Sequence, residues 1–231
     1  MQNLTVRLEM VFGQVKAAAS GSSEVRVIDV GSDHGYLALR CLEDGIVKNA
    51  VCTEIHEGPA RKSQAALKGA GYSEVSEVHV TDGLIGVTLK DNDIVVIAGM
   101  GGLNIIDIIS QAIKDNGTDV LKNVTFVLQP QKSNEIVRKY LAETGFAYVD
   151  ETVCYDRDIF YNCMRVIYKG IAFGLTDEQA CYGPLLINKF DNGDKEVSLY
   201  FEHLNKIFEI RKRSNPTVKS ALEERKQNEG K

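Results

Sequence analysis

Three acids recur at equivalent places in the chain: Asp29, Glu54 and Asp82, each closing a run rich in β-branched residues. Around the first, Asp29-x-Gly31-x-x-x-Gly35 reads as a strand, a tight turn and a helix start. Nucleotide-type cofactors are held at such junctions, because small residues let backbone N–H groups approach the ligand. Glu54 lies 25 residues after Asp29. It is placed to accept from a ribose diol, whose hydroxyls donate to the two oxygens of a carboxylate. Asp82-Gly83 follows the third run, where an adenine amino group can be held. Each feature alone has a plain reading: a buried acid in a turn, a solvated acid, a surface turn. In this order, at three successive strand ends, they select a cofactor site. Asp33 and His34 sit inside the first turn, where cofactor loops carry small neutral residues.

These residues need a sheet to position them. Leu4 to Ala18 has apolar residues at helical spacing and is stopped by Ser20-Gly21-Ser22-Ser23. Strands are expected at Val25–Val30, Asn49–Ile55, Val75–Val80, Asp93–Ala98 and Thr125–Gln129, the last ended by Pro130. The Asp93–Ala98 run is apolar throughout after its first residue, as in a strand buried on both faces of a parallel sheet. Helices are expected at Tyr36–Asp44, from Gly58-Pro59 to Lys68, at Leu103–Lys114 and at Asn134–Thr144, with a short helix or helical turn at Leu84–Leu89. Ala147–Cys154 and Cys163–Tyr168 have no helix between them and read as a β-hairpin turning at Tyr155–Asp158. The pattern predicts an α/β fold: a doubly wound, seven-stranded, mostly parallel sheet with a terminal antiparallel hairpin. That domain spans 1–170. A small helical, coiled-coil-like unit occupies 171–231, its apolar stripe running from Val197 to Ile210 and a more polar helix covering Thr217–Gln227.

Composition fits an ordinary soluble protein, 44% hydrophobic and 26% charged, with no apolar run long enough for a membrane span. The start of the chain lacks the basic end and apolar core of a secretion signal. Five scattered cysteines without a C-x-x-C pair read as reduced thiols, so a cytoplasmic location and no metal site are expected. The oligomeric expectation is a monomer or weak homodimer. Net charge is −5, yet Lys195–Lys231 holds nine Lys/Arg against six Asp/Glu. That tail is a candidate polyanion contact or a solvated helical face.

The glycine turn resembles the first motif of class I S-adenosylmethionine-dependent methyltransferases. It fits the dinucleotide fingerprint less well, because Asp33 replaces the second glycine. Ala98-Gly99-Met100-Gly101-Gly102 follows the fourth strand and offers backbone but no side-chain acceptor for a substrate amine. Gln129-Pro130-Gln131 faces the same crevice. Together, Gly-Ser-Asp-His-Gly-Tyr-Leu, Glu-Ile-x-x-Gly-Pro, Ile-Ala-Gly-Met-Gly-Gly and Leu-Gln-Pro resemble the bacterial tRNA (adenine-22-N1)-methyltransferases. The family often carries Ala at the position of Gly35 and Asn at that of Gln131, and its helical C-terminal domain is longer than the hairpin read here.

The resemblance implies S-adenosyl-L-methionine as donor, tRNA as acceptor and the loop acid, Asp33, as the catalytic residue. The candidate cofactor residues are Arg7, Asp29, Gly31, Ser32, His34, Gly35, Glu54, Ile55, Asp82, Gly83, Ala98, Gly99 and Met100. On the substrate side stand Gly101, Gly102, Gln129, Lys206, Arg211, Lys212 and Arg213. The tail adds Lys219, Arg225 and Lys226 as further RNA-facing cations. Arg7 can meet the cofactor carboxylate or stay solvated; Tyr36 can stack on adenine or anchor its helix. The alternatives are a methyltransferase of another substrate, a nicotinamide-dependent oxidoreductase and a non-catalytic, cofactor-sensing RNA-binding module.

Overall fold

The computed structural model describes residues 4–21 and 24–229; Ser22 and Ser23 of the expected helix stop lie outside them. α1 (Val6–Ala19) starts at Thr5, whose hydroxyl accepts the Leu8 N–H. The alternation then builds β1 (Arg26–Val30), α2 (Tyr36–Glu43), β2 (Asn49–Glu54), α3 (Glu57–Gly69) and β3 (Ser76–Val80). It continues through β4 (Asp93–Gly101), α4 (Gly102–Leu121), β5 (Thr125–Lys132) and α5 (Asn134–Thr144). The hairpin β6 (Phe146–Asp156) and β7 (Ile159–Tyr168) closes a seven-stranded sheet of order β3-β2-β1-β4-β5-β7-β6. β7 pairs antiparallel with both β5 and β6, and the other pairings are parallel.

Alternate residues of the central strands feed two cores. Val27, Ile94 and Val96 pack beneath α1, α2 and α3 with Val11, Val15, Leu37 and Leu67. Ile28, Val30, Val95 and Ile97 pack on the other face with Ile105, Ile109, Val137 and Leu141 of α4 and α5. Double burial explains why these strands carry unbroken β-branched runs. Strand order reverses between β1 and β4, so the ligand crevice opens there, beyond the carboxyl ends of the strands.

Several expected boundaries move. β4 does not end at Ala98: it runs through Gly99 and Met100 to Gly101, with an irregular register from Ala98 on. β5 likewise passes Pro130, which pairs opposite Met100. The β5–β7 ladder stops at Leu128, so β7 needs no N–H from Pro130. Of the two readings of Leu84–Leu89 the structure has turns and no helix, because Gly83 and Gly86 hold φ of 57° and 77°. α4 reaches Leu121, interrupted at Gly117 (φ 74°). The hairpin strands extend to a two-residue turn at Arg157-Asp158, both at positive φ as such a turn requires.

Among the described residues the tail forms four helices, not two: α6 (Asp177–Tyr182), α7 (Pro184–Asp191), α8 (Lys195–Arg211) and α9 (Pro216–Glu229). Gly-Pro at 183–184 separates the two short helices and hid the first. Val197, Tyr200, Phe201, Leu204 and Phe208 are buried, together with Tyr182, Leu186, Leu222 and Val153 of β6. The stripe is therefore a core shared with the sheet, and Ile210 at its end is 76% exposed. The joint centres on Arg138 of α5, which is fully buried. Its guanidinium donates to Glu151 Oε1 (2.8 Å), Asn162 Oδ1 (3.1 Å) and the carbonyls of Ala180 (2.9 Å) and Cys181 (3.1 Å). Glu151 Oε2 accepts the Leu185 N–H at 3.0 Å. A side chain at Gly183 (φ 102°) would strike both ionic groups.

Candidate active site

The β1–α2 turn is held from below. Gly31 N–H donates to the Thr53 carbonyl at 2.8 Å. The Ser32 hydroxyl donates to Glu54 Oε1 at 3.0 Å, and the Asp33 N–H makes a short bond to the same oxygen. Both bonds fall on one carboxylate oxygen of a residue 7% exposed, and the second oxygen retains acceptor capacity for a ligand diol. Ser32 also meets Ser63 of α3 at 3.1 Å. Gly35 packs on Ser63 rather than facing a cavity.

Two cavities lie side by side above this turn. One, of about 360 Å³, is lined by Gly31, Glu54, Ile55, Asp82, Gly83 and Met100 together with Asn104 and Asp107. The other, of about 510 Å³, is lined by Arg7, Asp29, Gly31, Ser32, Asp33, His34, Ala98, Gly99 and Met100, with Gln131 at its edge. Gly31 and Met100 belong to both. Asn104 and Asp107 went unread in the sequence, although two polar residues three apart on a helix rising from the crevice are a usable signal.

Asp29 lies at the floor of the second cavity. It is buried, and its Oδ2 has no hydrogen-bond partner. Burial, then repulsion from Glu54, pushes its pKa up to about 7, against the opposing hydrogen bond from the Ala38 backbone. A carboxyl whose folded pKa exceeds its ordinary value of 3.8 stabilises the fold fully below about pH 4 and loses that contribution as pH rises to about 7. Asp29→Asn carries no such loss. Its Tm relative to the natural chain is expected to be higher at pH 8 than at pH 5; an equal difference at both pH values would refute the linkage.

Asp33 is 85% exposed, with φ of 37°, and its Oδ1 lies 3.5 Å from His34 Nε2. His34 stacks on Tyr36, ring centroids 5.3 Å apart, and both rings line the second cavity. Arg7 is half-buried and not free. Its Nη1 donates to Gln129 Oε1 (2.9 Å), which also accepts the Gly99 N–H (3.1 Å), and its guanidinium lies over Tyr161. Gln129 is fully buried and positions Arg7 and Gly99 instead of facing a substrate. Gly101 and Gly102 pack on Lys132 and Val137 rather than lining either cavity.

The tail cations divide. Arg225 is only 5% exposed, paired with Glu178 and stacked over Phe190 and Phe201, which removes it from any RNA surface. Arg211 pairs with Glu135 at the start of α5, and Lys212 with Glu209. Lys206 edges a separate groove with Tyr155, Phe160 and His203. Arg213 is exposed. Among the described residues no group of three or more His, Cys, Asp or Glu could hold a metal, and no helix is long and apolar enough to cross a membrane.

Sheet order, terminal hairpin and switch-point crevice define a Rossmann-like methyltransferase fold of class I. Residues 27–228 match the profile of the family described as TrmK, tRNA (adenine(22)-N(1))-methyltransferase, and the chain belongs to that family. The tRNA (adenine(22)-N(1))-methyltransferase of Bacillus subtilis is 30% identical over 148 residues, 58% of this chain and 60% of that one. A Mycoplasma genitalium protein, a candidate tRNA methyltransferase, is 30% identical over 171 residues, 70% of this chain and 71% of its own length. A Streptococcus pneumoniae protein crystallised in complex with S-adenosyl-L-methionine superposes with a TM-score of 0.77 at 26% identity, covering 96% of this chain and 99% of that one.

Proposed function

We propose that the chain transfers the methyl group of S-adenosyl-L-methionine to N1 of adenine 22 in tRNA. The family match over residues 27–228 carries this reading. The cavities fit the donor. The Glu54 carboxylate faces a space suited to a ribose diol, and Asp29 presents an unsatisfied buried oxygen in the neighbouring space. When bound, the donor supplies an electrophilic methyl on a sulfonium.

The chain's residues then have separable tasks. Glu54 holds the nucleoside side and braces the turn through Ser32 and the Asp33 N–H. Asp82, Asn104 and Asp107 close the adenine end of that cavity. Arg7, fixed by Gln129, offers a cation to the donor's carboxylate. Asp33 faces the substrate side, where it accepts from the adenine amino group as N1 acquires charge. N1 is engaged inside a Watson–Crick pair, so the base is taken unpaired or turned out.

Labelled donor incubated with unmodified tRNA, followed by nucleoside analysis, tests the reading. Label in 1-methyladenosine at position 22 is expected; label on another base, or none in RNA, would reject it. Phosphate contacts by the C-terminal helices have a salt signature. Lys212→Glu with Arg213→Glu is expected to weaken tRNA binding and reduce the slope of log K against log salt by about 2. An unchanged slope would move the RNA surface elsewhere. Arg225→Ala should instead lower Tm, because its guanidinium sits in the tail core.

A further inference from the structure

The two cavities meet at a single place, where Gly31 of the β1–α2 turn faces Met100 of β4. A Cβ built on Gly31 would collide with the Cε methyl of Met100, so the thioether lies directly on the glycine backbone. Gly31 has no side chain to move and is bonded to Thr53, so the partition between the cavities is the Met100 side chain. A ligand with a nucleoside half and an amino-acid half must pass this point to occupy both spaces. Methionine has three rotatable side-chain bonds and swings at small cost. Met100 is half-buried, packed against the core beneath it, and sits where the β4 register becomes irregular.

We propose that Met100 is a movable partition of the donor trough. In the free chain it rests on Gly31 and separates the cavities; donor binding displaces it and joins them. The chain thus binds in the fraction of time that the thioether is away, and its apparent affinity and association rate are lowered by that fraction. The inference rests on the reading of both cavities as the S-adenosylmethionine site.

Methionine-methyl NMR with S-adenosylhomocysteine as the probe tests it, the Met100 signal being assigned by its loss in Met100→Leu. The free protein is expected to give a nuclear Overhauser contact between the Met100 methyl and the Gly31 α-protons, lost on saturation. Calorimetry on the same sample reports binding independently. Binding with the contact retained, or a free protein without the contact, overturns the partition and leaves the cofactor reading standing. No binding at millimolar probe rejects both. In stopped-flow measurements Met100→Ala should associate with the probe about threefold to tenfold faster; an unchanged or slower rate also overturns the proposal.

Discussion

Asp33→Ala is expected to slow methyl transfer by about 10²–10⁴-fold while donor binding stays within about tenfold. The separation follows from which atoms of Asp33 do what. Its backbone N–H bonds Glu54 and helps shape the donor cradle, and alanine or asparagine keeps that bond. Its side chain is 85% exposed and bonded to nothing but a nearby imidazole, so it is free for the substrate. Attack by adenine N1 leaves a cationic ring unless the amino group sheds or shares a proton, and a carboxylate at that point stabilises the charge. Alanine at a φ of 37° adds backbone strain, so Asp33→Asn is the better control, since asparagine tolerates that region. Single-turnover rates, with S-adenosylhomocysteine affinity measured alongside, check both variants. A fully active Asp33→Asn would remove the charge from the mechanism.

The largest effect on stability is expected at Arg138. Arg138→Met should cost about 3–5 kcal/mol, because it leaves Glu151 charged in a fully buried site without its partner. It also strips donors from Asn162 and from the carbonyls of Ala180 and Cys181. Adding Glu151→Leu should recover part of the loss by removing the stranded charge. Recovery stays partial because Glu151 also accepts the Leu185 N–H. Urea unfolding of the single and double variants measures this; a double variant no more stable than Arg138→Met would mean that the buried charge is not the source of the cost.

The mostly parallel sheet with its terminal hairpin and the three acid-bearing strand ends were legible because β-branched runs and turn glycines are local signals. The course of β4 and β5 past Ala98 and Pro130 was not. Glycine and proline read as strand stops, and only the neighbouring strand, with its irregular register and early-ending ladder, overrides them. The tail cations illustrate the same limit. Lys212, Arg213 and Arg225 look alike in sequence, yet Glu178 and three aromatic rings, all more than twenty residues away, bury Arg225. Gln129 was read as facing the substrate because it lies at a strand end; its burial makes it a support for Arg7. Distant partners decide these three cases, whereas local glycines left the turns at Leu84–Leu89 undecided and hid the helix before Gly183.

All five thiols are buried, Cys41 and Cys52 near the first turn, Cys154 and Cys163 in the hairpin, Cys181 in the tail core. Burial pushes the pKa of Cys154 up to about 11 and that of Cys181 up to about 12. Alkylation needs a thiolate in contact with reagent, so the native chain is nearly inert to it. Any modification therefore reports an opening event, and the identity of the modified cysteine reports where. The chain carries its own set of stopwatches, one group for each part of the fold. Whether the tail opens before the sheet can be timed by mass spectrometry without adding a probe.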